Sequence, residues 1–438
     1  MGATAKRPST IVAVCRLSGE FAQLTGMEIN VKKSAVWATE SGHRRELAQT
    51  AIISGRPIPC KLEDRTLGAH LAYTRRRAKT TLSRKLPCCL AICERIGASL
   101  LPFEVRAMLV ATIVMPKAVY GSAATPCSKK DLRTLRAACS KAMWGQANRW
   151  RAPEVLHTIL AKGHCTDPAQ AVHYHVLGTA RRVLQRHPEV WAKYVEVFTW
   201  RREDPARSER VPTGPVKSLL RAARCCGATW YQNNPGLLRV EIPEGERLIS
   251  LGDTETGRFL HLVREALRKE QHKALAARRP SFDQLHHGVD RIATCTISRC
   301  INGLSKYRWR CLVAGAVPTA KRLHRSRQID SPLCPCCNEG VEEDLEHVLL
   351  HCPAHDHVRY LEFTPEAWAI MPNCLRLHGI LPLKLDCVPH GVDPTVEGLA
   401  GYVTSVQYAL LDILANRQRF CDWSPPRPRW VSARRGLA

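Results

Sequence analysis

Acidic residues are scarce in this chain of 438 residues. Asp and Glu total 39 against 65 Lys and Arg, which gives a formal net charge of +26 at pH 7. So few acids leave the positive charge unneutralised, and nucleic acid is the polyanion that such a surface most often meets. The composition therefore predicts RNA and/or DNA as a partner. The alternative is a basic, solvated exterior whose charges are spread evenly.

Long apolar runs are also missing. The run Ile11 to Cys15 near the N-terminus is too short for a secretory signal. The best internal stretch, Leu100 to Met115, contains Glu104 and Arg106 and falls short of the ~20 apolar residues that cross a bilayer. We therefore predict no membrane partner and an intracellular location, nuclear or cytoplasmic. The 20 cysteines are then expected to be mostly reduced thiols.

Four of the possible metal donors have the spacing of a zinc site. Cys334 and Cys337 form a Cys-x2-Cys pair, nine residues separate Cys337 from His347, and four separate His347 from Cys352. Three thiolates and one imidazole fill a tetrahedral shell and leave no position for substrate. The spacing therefore predicts a structural Zn2+ as cofactor. A chance arrangement of buried cysteines is the alternative.

The second half of this motif is predicted to be helical. Asp344 to His351 has acidic residues at its start, where the helix dipole favours them, and Pro353 lies just past its end. A turn would thus supply two zinc ligands and a helix the other two. Cys336 and His351 are spare donors that could replace a neighbour.

Two short segments concentrate the positive charge, and we predict that both contact nucleic acid. Their cations are Arg75, Arg76, Arg77, Lys79, Arg84 and Lys85 in the first segment, and Lys306, Arg308, Arg310, Lys321, Arg322, Arg325 and Arg327 in the second. Tyr307 and Trp309 offer ring faces in the second segment on which a base could stack, although ordinary core packing explains them equally well. Since the residues between Cys337 and His347 are strongly acidic, we expect the zinc loop to hold the base of the second segment rather than contact phosphate.

Local patterns predict a small α/β piece at the N-terminus. Leu17, Phe21 and Leu24 share one face of a helix that Gly26 ends, and alternation from Met27 to Val31 is typical of a strand. Two short strands around a Gly turn are expected within residues 52–58, and another within 61–71.

Helices are predicted through most of the remaining chain, so the expected fold class is mainly α. Apolar residues recur at three and four positions between Arg75 and Phe198, which indicates five to seven helices. Further helices are expected near Phe259 to Ala277 and near Val396 to Arg417. The predicted divisions are an α/β segment at 1–74, a helical bundle at 75–200, a connector at 201–290, a basic helix with the zinc knuckle at 291–380, and a tail at 381–438.

Several of these motifs together resemble the reverse transcriptases of non-LTR retrotransposons. The run from Gly26 through Asn30 and Lys33 is similar to the segment that follows the catalytic aspartates in that family, and Leu67-Gly68 is similar to its primer-grip turn. A helical thumb and a Cys-Cys-His-Cys knuckle follow in the same order. The resemblance spans roughly residues 16 to 355. It implies that 1–74 is the edge of a palm and that 75–200 is a thumb-like bundle.

The resemblance also implies roles for individual residues. Lys33 would lie beside the phosphates of an incoming nucleotide, and Leu67 and Gly68 would support the primer end. Thr66 departs from the aromatic residue that the family usually has there. The chain contains no two adjacent aspartates, so the carboxylates that would hold Mg2+ are absent, and Mg2+ is expected only with a complete palm.

The function that follows is a nucleic-acid-binding fragment of an RNA-directed DNA polymerase, inactive by itself. One alternative is a zinc-stabilised structural or interaction protein whose charge is incidental. Another is a subunit that becomes active with a palm supplied by another chain, so that a retroelement polymerase core is a possible partner. Primer extension with and without such a partner would distinguish these interpretations.

Overall fold

The computed structural model describes residues 3–66, 69–73, 80–145, 150–203, 214–384 and 395–420. These residues are mainly α-helical with a few short strands, which confirms the predicted fold class. The chain divides into two compact units. The first comprises residues 1–87, 119–131 and 175–222, and the second comprises residues 88–118, 132–174 and 223–438. The five divisions predicted from the sequence stay a prediction.

The helices are numbered here in chain order. They are α1 Pro8–Thr25, α2 Ser41–Thr50, α3 Thr81–Ala98, α4 Phe103–Leu109, α5 Met115–Val119, α6 Lys129–Trp144, α7 Pro153–Val155, α8 Gly163–Thr166, α9 Pro168–Arg186, α10 Trp191–Glu203, α11 Pro215–Cys225, α12 Thr256–Ala276, α13 Arg291–Cys295, α14 Ile297–Cys300, α15 Gly303–Val313, α16 Ala320–Arg325, α17 Asp356–Arg359, α18 Pro365–Ile370, α19 Asn373–His378 and α20 Val396–Arg417. Short π-helical turns occupy Val110–Val114, Leu156–Leu160 and His347–His351, and 3-10 turns occupy Val31–Lys33, Pro188–Val190, Tyr231–Asn233, Pro280–His287 and Pro353–His355.

The strands form three small antiparallel sheets. They are β1 Ile52–Ile53 with β2 Arg56–Pro57, β3 Glu63–Thr66 with β4 Ala69–Ala72, and β5 Thr229–Trp230, β6 Leu237–Ile242 and β7 Gly245–Ser250 in that spatial order. The first hairpin confirms the two strands predicted within 52–58. Where one strand was predicted within 61–71, the structure has the two paired strands β3 and β4. Ser54 and Gly55 both have positive φ, 49° and 74°, which is the backbone that a two-residue hairpin turn needs.

In the first unit, α1 packs against the β1–β2 hairpin through its smallest residues. Cys15, Gly19 and Ala22 are the buried positions of the helix. A Cβ added at Gly19 would come within 3.1 Å of the Ser54 backbone nitrogen, so a larger residue would require the hairpin to shift slightly. Gly26 ends the helix in the left-handed conformation, as predicted.

The larger apolar residues of α1 lie on the opposite side. Leu17, Phe21 and Leu24 are all exposed, Leu24 by 87% of its surface. The predicted face therefore exists, but the described part of the first unit does not cover it.

The strand predicted from Met27 to Val31 is wrong. Residues 27–30 are irregular, and Val31–Lys33 is a 3-10 turn. The Asn30 side chain accepts a hydrogen bond from the Lys33 backbone N–H at 3.2 Å and so caps that turn. A side chain that offers the backbone a local partner competes with strand pairing, and this competition decides the outcome here.

The second unit contains a sheet where the sequence analysis expected a connector. Strand β6 alternates, with Leu238, Val240 and Ile242 buried and the intervening residues less buried. Helix α12 covers this sheet, and Lys269 on α12 donates to the backbone oxygen of Ile242 at 3.0 Å. The period-2 pattern is present in the sequence, with Arg239 and Glu241 between the apolar positions, but it is short and lies in a segment with scattered Pro and Gly.

Helix α20 lies at the centre of the second unit's core. Its buried residues Val406, Leu410 and Ile413 pack with Leu312 on α15 and with Leu349 beside the zinc motif. In the part of the chain that the structure describes, one helix is long and apolar enough to cross a membrane, and it is this one, over Glu397–Arg417. No unbroken apolar run marks this helix in the sequence. Burial of its apolar side against the core accounts for that composition.

Candidate metal centre and adjacent basic surface

The four predicted zinc donors lie together in the second unit. The Sγ atoms of Cys334, Cys337 and Cys352 and a ring nitrogen of His347 are all within 4.8 Å of one another. Cys334 Sγ lies 3.8 Å from Cys352 Sγ, and Cys337 Sγ lies 3.5 Å from His347 Nε2. Tetrahedral bonds of about 2.3 Å to sulfur and about 2.0–2.1 Å to nitrogen would separate two sulfurs by about 3.8 Å and a sulfur from a nitrogen by about 3.5 Å. The two measured separations match those of a tetrahedral Zn2+ shell, so the residues present fit Zn2+.

Local backbone contacts aim these side chains inward. The Cys334 N–H donates to Val341 O at 2.9 Å, which closes the loop that contains the Cys-x2-Cys pair. Asp344 Oδ1 accepts from the His347 N–H at 2.9 Å and starts the helical turn, and the Cys352 N–H donates to His347 O at 2.7 Å. The first turn supplies Cys334 and Cys337. The helical turn His347–His351 supplies His347, and Cys352 follows directly after its end, whereas the sequence predicted that a helix would supply both.

The two spare donors differ in their positions. His351 is exposed and lies 3.9 Å from Glu346, away from the four-donor set. Cys336 forms a second, overlapping group with Cys334 and Glu343. Because Glu343 is engaged in other bonds described below, the Cys-Cys-His-Cys set remains the better zinc site.

The thiols of the cluster differ in how readily they ionise. A hydrogen bond with Cys336 is the main effect that lowers the pKa of Cys334, to about 3. Burial raises the pKa of Cys352 to about 12 and also raises the pKa of Cys337. The Cys334 thiolate therefore forms readily by itself, whereas Cys337 and Cys352 need a bound cation to offset the crowding of negative charge.

Glu343 connects the zinc loop to two helices. It is fully buried, and its two carboxylate oxygens accept from Arg417 Nε and Nη2 on α20, both at 2.6 Å. The same carboxylate accepts from the Ala320 N–H at the start of α16, and the Glu343 backbone oxygen accepts from the Lys321 N–H at 3.1 Å. Lys321 Nζ also pairs with Glu342 at 2.7 Å. Glu342 and Glu343 of the acidic loop thus bind α16, and Glu343 also binds α20.

The two rings of α15 that were predicted to stack on bases, Tyr307 and Trp309, differ in their burial. Trp309 is 4% exposed and packs in a core cluster with Phe282 and Val313. Tyr307 is partly buried against the neighbouring cluster. For Trp309, core packing is therefore the interpretation that fits its position.

The predicted cations of α15 make internal contacts. Arg310 is buried and pairs with Glu104 at 3.1 Å, and Lys306 reaches the same carboxylate at 3.5 Å. Arg308 donates to the side chain of Gln418. These contacts leave α15 less suited to phosphate than the sequence suggested, because each charge already has a partner within the fold.

Helix α16 carries the more accessible charges. Arg322 Nη1 donates to the backbone oxygens of Gly315 and Val317 at 3.0 and 2.8 Å. Arg325 and Arg327 are exposed, and Arg327 has φ +56° just past the helix end. The exposed end of α16 is therefore the part of the predicted basic segment that is open to a partner.

The residues selected by family resemblance lie in the first unit or outside the described residues. Gly26 caps α1, and Asn30 caps the turn that contains the exposed Lys33. Six further predicted residues lie outside the described ranges, namely Leu67, Gly68, Arg75, Arg76, Arg77 and Lys79.

Sequence reasoning missed Glu343 and Arg417. Glu343 is one of several acids in the loop, and Arg417 is one of many arginines near a helix end. Their positions, 74 residues apart, gave no signal that they pair.

Comparison with known proteins supports the zinc site. Residues 293–358 match the family model for zinc-binding in reverse transcriptase, and this range includes all four donors. No curated protein and no solved structure matches the chain. The segment that holds the Cys-Cys-His-Cys cluster is therefore similar to the zinc-binding domain of reverse transcriptases.

Proposed function

We propose that this chain carries a zinc-stabilised nucleic-acid-binding module of a reverse transcriptase of the non-LTR retrotransposon type. The observation that carries the proposal is the four-donor cluster, spaced for Zn2+, whose loop is bonded directly to a basic helix. The match of residues 293–358 to a reverse-transcriptase zinc-binding family supports the same conclusion.

In this proposal the metal has a structural role. Cys334, Cys337, His347 and Cys352 would hold Zn2+, which supplies ordering worth on the order of 10 kcal/mol in small sites. The ordered loop places Glu343 where it accepts from the start of α16. The helix is thereby fixed at one end.

The free end of α16 would contact the partner. Arg325 and Arg327 are exposed cations at that end. Contacts of this kind bind phosphate and position a nucleic acid without reading its sequence. The module would therefore bind RNA or DNA with strong salt dependence and little base preference.

We do not propose that this chain catalyses nucleotidyl transfer by itself. The chain contains no two adjacent aspartates, and a two-Mg2+ polymerase centre needs paired carboxylates. Any polymerase activity would depend on a palm supplied from elsewhere.

The test is the salt dependence of binding. Anisotropy of a fluorescein-labelled single-stranded RNA is measured with the zinc-loaded full chain and with an Arg325→Ala/Arg327→Asn variant. Asn is chosen because it tolerates the positive φ at position 327. Each phosphate contact on a single strand adds about 0.7 to the slope of log K against log salt, so the variant should lose about 1.4.

A matched control removes two cations elsewhere in the second unit. Arg224 and Arg247 are both exposed, and the Arg224→Ala/Arg247→Ala variant should keep the parent's slope. Equal slopes for all three proteins would show that α16 does not touch phosphate. A parent that binds no RNA or duplex DNA would instead favour the zinc-stabilised scaffold.

A further inference from the structure

A second group of positive charges lies around His164 in the second unit. It consists of Lys162, Arg264, Arg268 and Arg291, which come from the segment before α8, from α12 and from the start of α13. We call this group the His164 cluster.

Hydrogen bonds bring the three segments together. Arg291 donates through Nε to Ile159 O at 3.0 Å and through Nη2 to Ala161 O at 3.2 Å. Thr158 Oγ1 lies 2.9 Å from His272 Nε2, which fastens α12 to the same segment. Arg291 and the middle of α12 are therefore held beside the residues that lead into α8.

The positions on α12 complete the arrangement. Residues 261, 264 and 268 lie on one side of the helix by their spacing, and Arg264 Nη2 lies 3.3 Å from His261 Nδ1. The His164 ring lies 5.2 Å from the ring of Tyr174. Cations and rings thus border the same surface.

The electrostatic balance of the cluster is unfavourable by itself. Burial, followed by the charges of Arg264 and Arg268 and those of Lys162 and Arg291, lowers the pKa of His164 to about 4. Glu265 neutralises Arg268 through contacts at 2.9 and 2.7 Å. After burial, the largest effects on His164 all come from these four cations, and Lys162 and Arg264 are the two whose side chains are not held by an acid or a backbone oxygen in the contacts above. Repulsion between like charges held close together destabilises the fold, and a bound anion would offset that repulsion.

We propose that the His164 cluster is a second phosphate-contact surface for the backbone of the nucleic acid bound through α16. This inference rests on the proposed function. A polynucleotide suits the cluster better than a single small anion because its backbone offers several phosphates to several cations. Arg291 also lies two positions before the 293–358 segment, so the cluster adjoins the zinc-binding domain along the chain.

The test uses the same RNA and the same salt series. Lys162→Ala/Arg264→Ala removes two charges whose side chains hold no backbone carbonyl, and leaves Arg268 and Arg291 in place. The slope of log K against log salt should fall by about 1.4 relative to the parent. The charge-retaining Lys162→Arg/Arg264→Lys variant should keep the parent's slope, as should Arg224→Ala/Arg247→Ala.

The outcomes separate this inference from the proposed function. If the parent binds and the α16 variant loses slope while Lys162→Ala/Arg264→Ala does not, only the His164 cluster is overturned. If the parent does not bind, both fail.

A second readout identifies the ligand. The His164 ring resonance, assigned with a His164→Gln variant, should move when the RNA is added. Inorganic phosphate at equal ionic strength should leave it in place. A shift as large with inorganic phosphate as with RNA would mark a free-anion site and overturn the proposal.

Discussion

Substituting Glu343 should separate the contribution of the buried ion pair from that of the zinc ligands. In Glu343→Gln the side chain keeps its shape and one acceptor oxygen but loses its charge. Arg417, whose side chain is only 8% exposed, would then be a buried cation without its carboxylate. Breaking a buried pair by removing one partner costs about 3–5 kcal/mol, because the remaining charge is left uncompensated.

The neighbouring acid provides the control. Glu342 is 52% exposed, and its pair with Lys321 at 2.7 Å is solvated. Exposed ion pairs contribute roughly 0–1 kcal/mol, so Glu342→Gln should be nearly neutral. The two variants change adjacent residues by the same chemistry, and burial is the main difference between them.

The assay is urea unfolding of the zinc-loaded full chain, followed by tryptophan fluorescence and by zinc release. Glu343→Gln should lower the unfolding free energy of the zinc-containing unit by roughly 3 kcal/mol and weaken apparent zinc affinity up to about a hundredfold. Glu343→Gln/Arg417→Met should recover part of that loss, since no unpaired charge remains. Equal stability of Glu343→Gln and Glu342→Gln would refute the role given to this pair.

Two further predictions concern the metal and pH. Cys352→Ser should abolish tight zinc binding in a zinc competition assay and remove the cooperative unfolding of the second unit in urea. Cys300→Ser changes an exposed cysteine outside the cluster and should leave both measurements unchanged. Burial lowers the pKa of His157 to about 4 and that of His378 to about 3. Both are neutral in the folded chain but gain a proton near pH 6.5 when unfolded, so their stabilisation is complete above about pH 6.5 and is lost as pH falls toward 4. Each should cost roughly 2 kcal/mol at about pH 5, measured by urea unfolding, and His157→Gln should reduce that pH dependence; identical stability at pH 7 and about pH 5 would contradict it.

The sequence by itself determined the zinc donors. Cys334, Cys337, His347 and Cys352 lie close along the chain, so their spacing sets the turn and the helical turn that bring them together. The end of α1 at Gly26 was determined in the same way, because a left-handed cap is a local property of the backbone.

Tertiary structure decided what the charged residues do. The sequence grouped Arg310 with Arg325 as equivalent cations, yet packing buries Arg310 against Glu104, 206 positions away, and leaves Arg325 exposed. The same holds for Glu343, whose partner lies 74 positions away. The position of a charged residue in the sequence does not indicate which residue it will pair with. The free energy of a charge depends on burial and on neighbours, and only the folded chain supplies both.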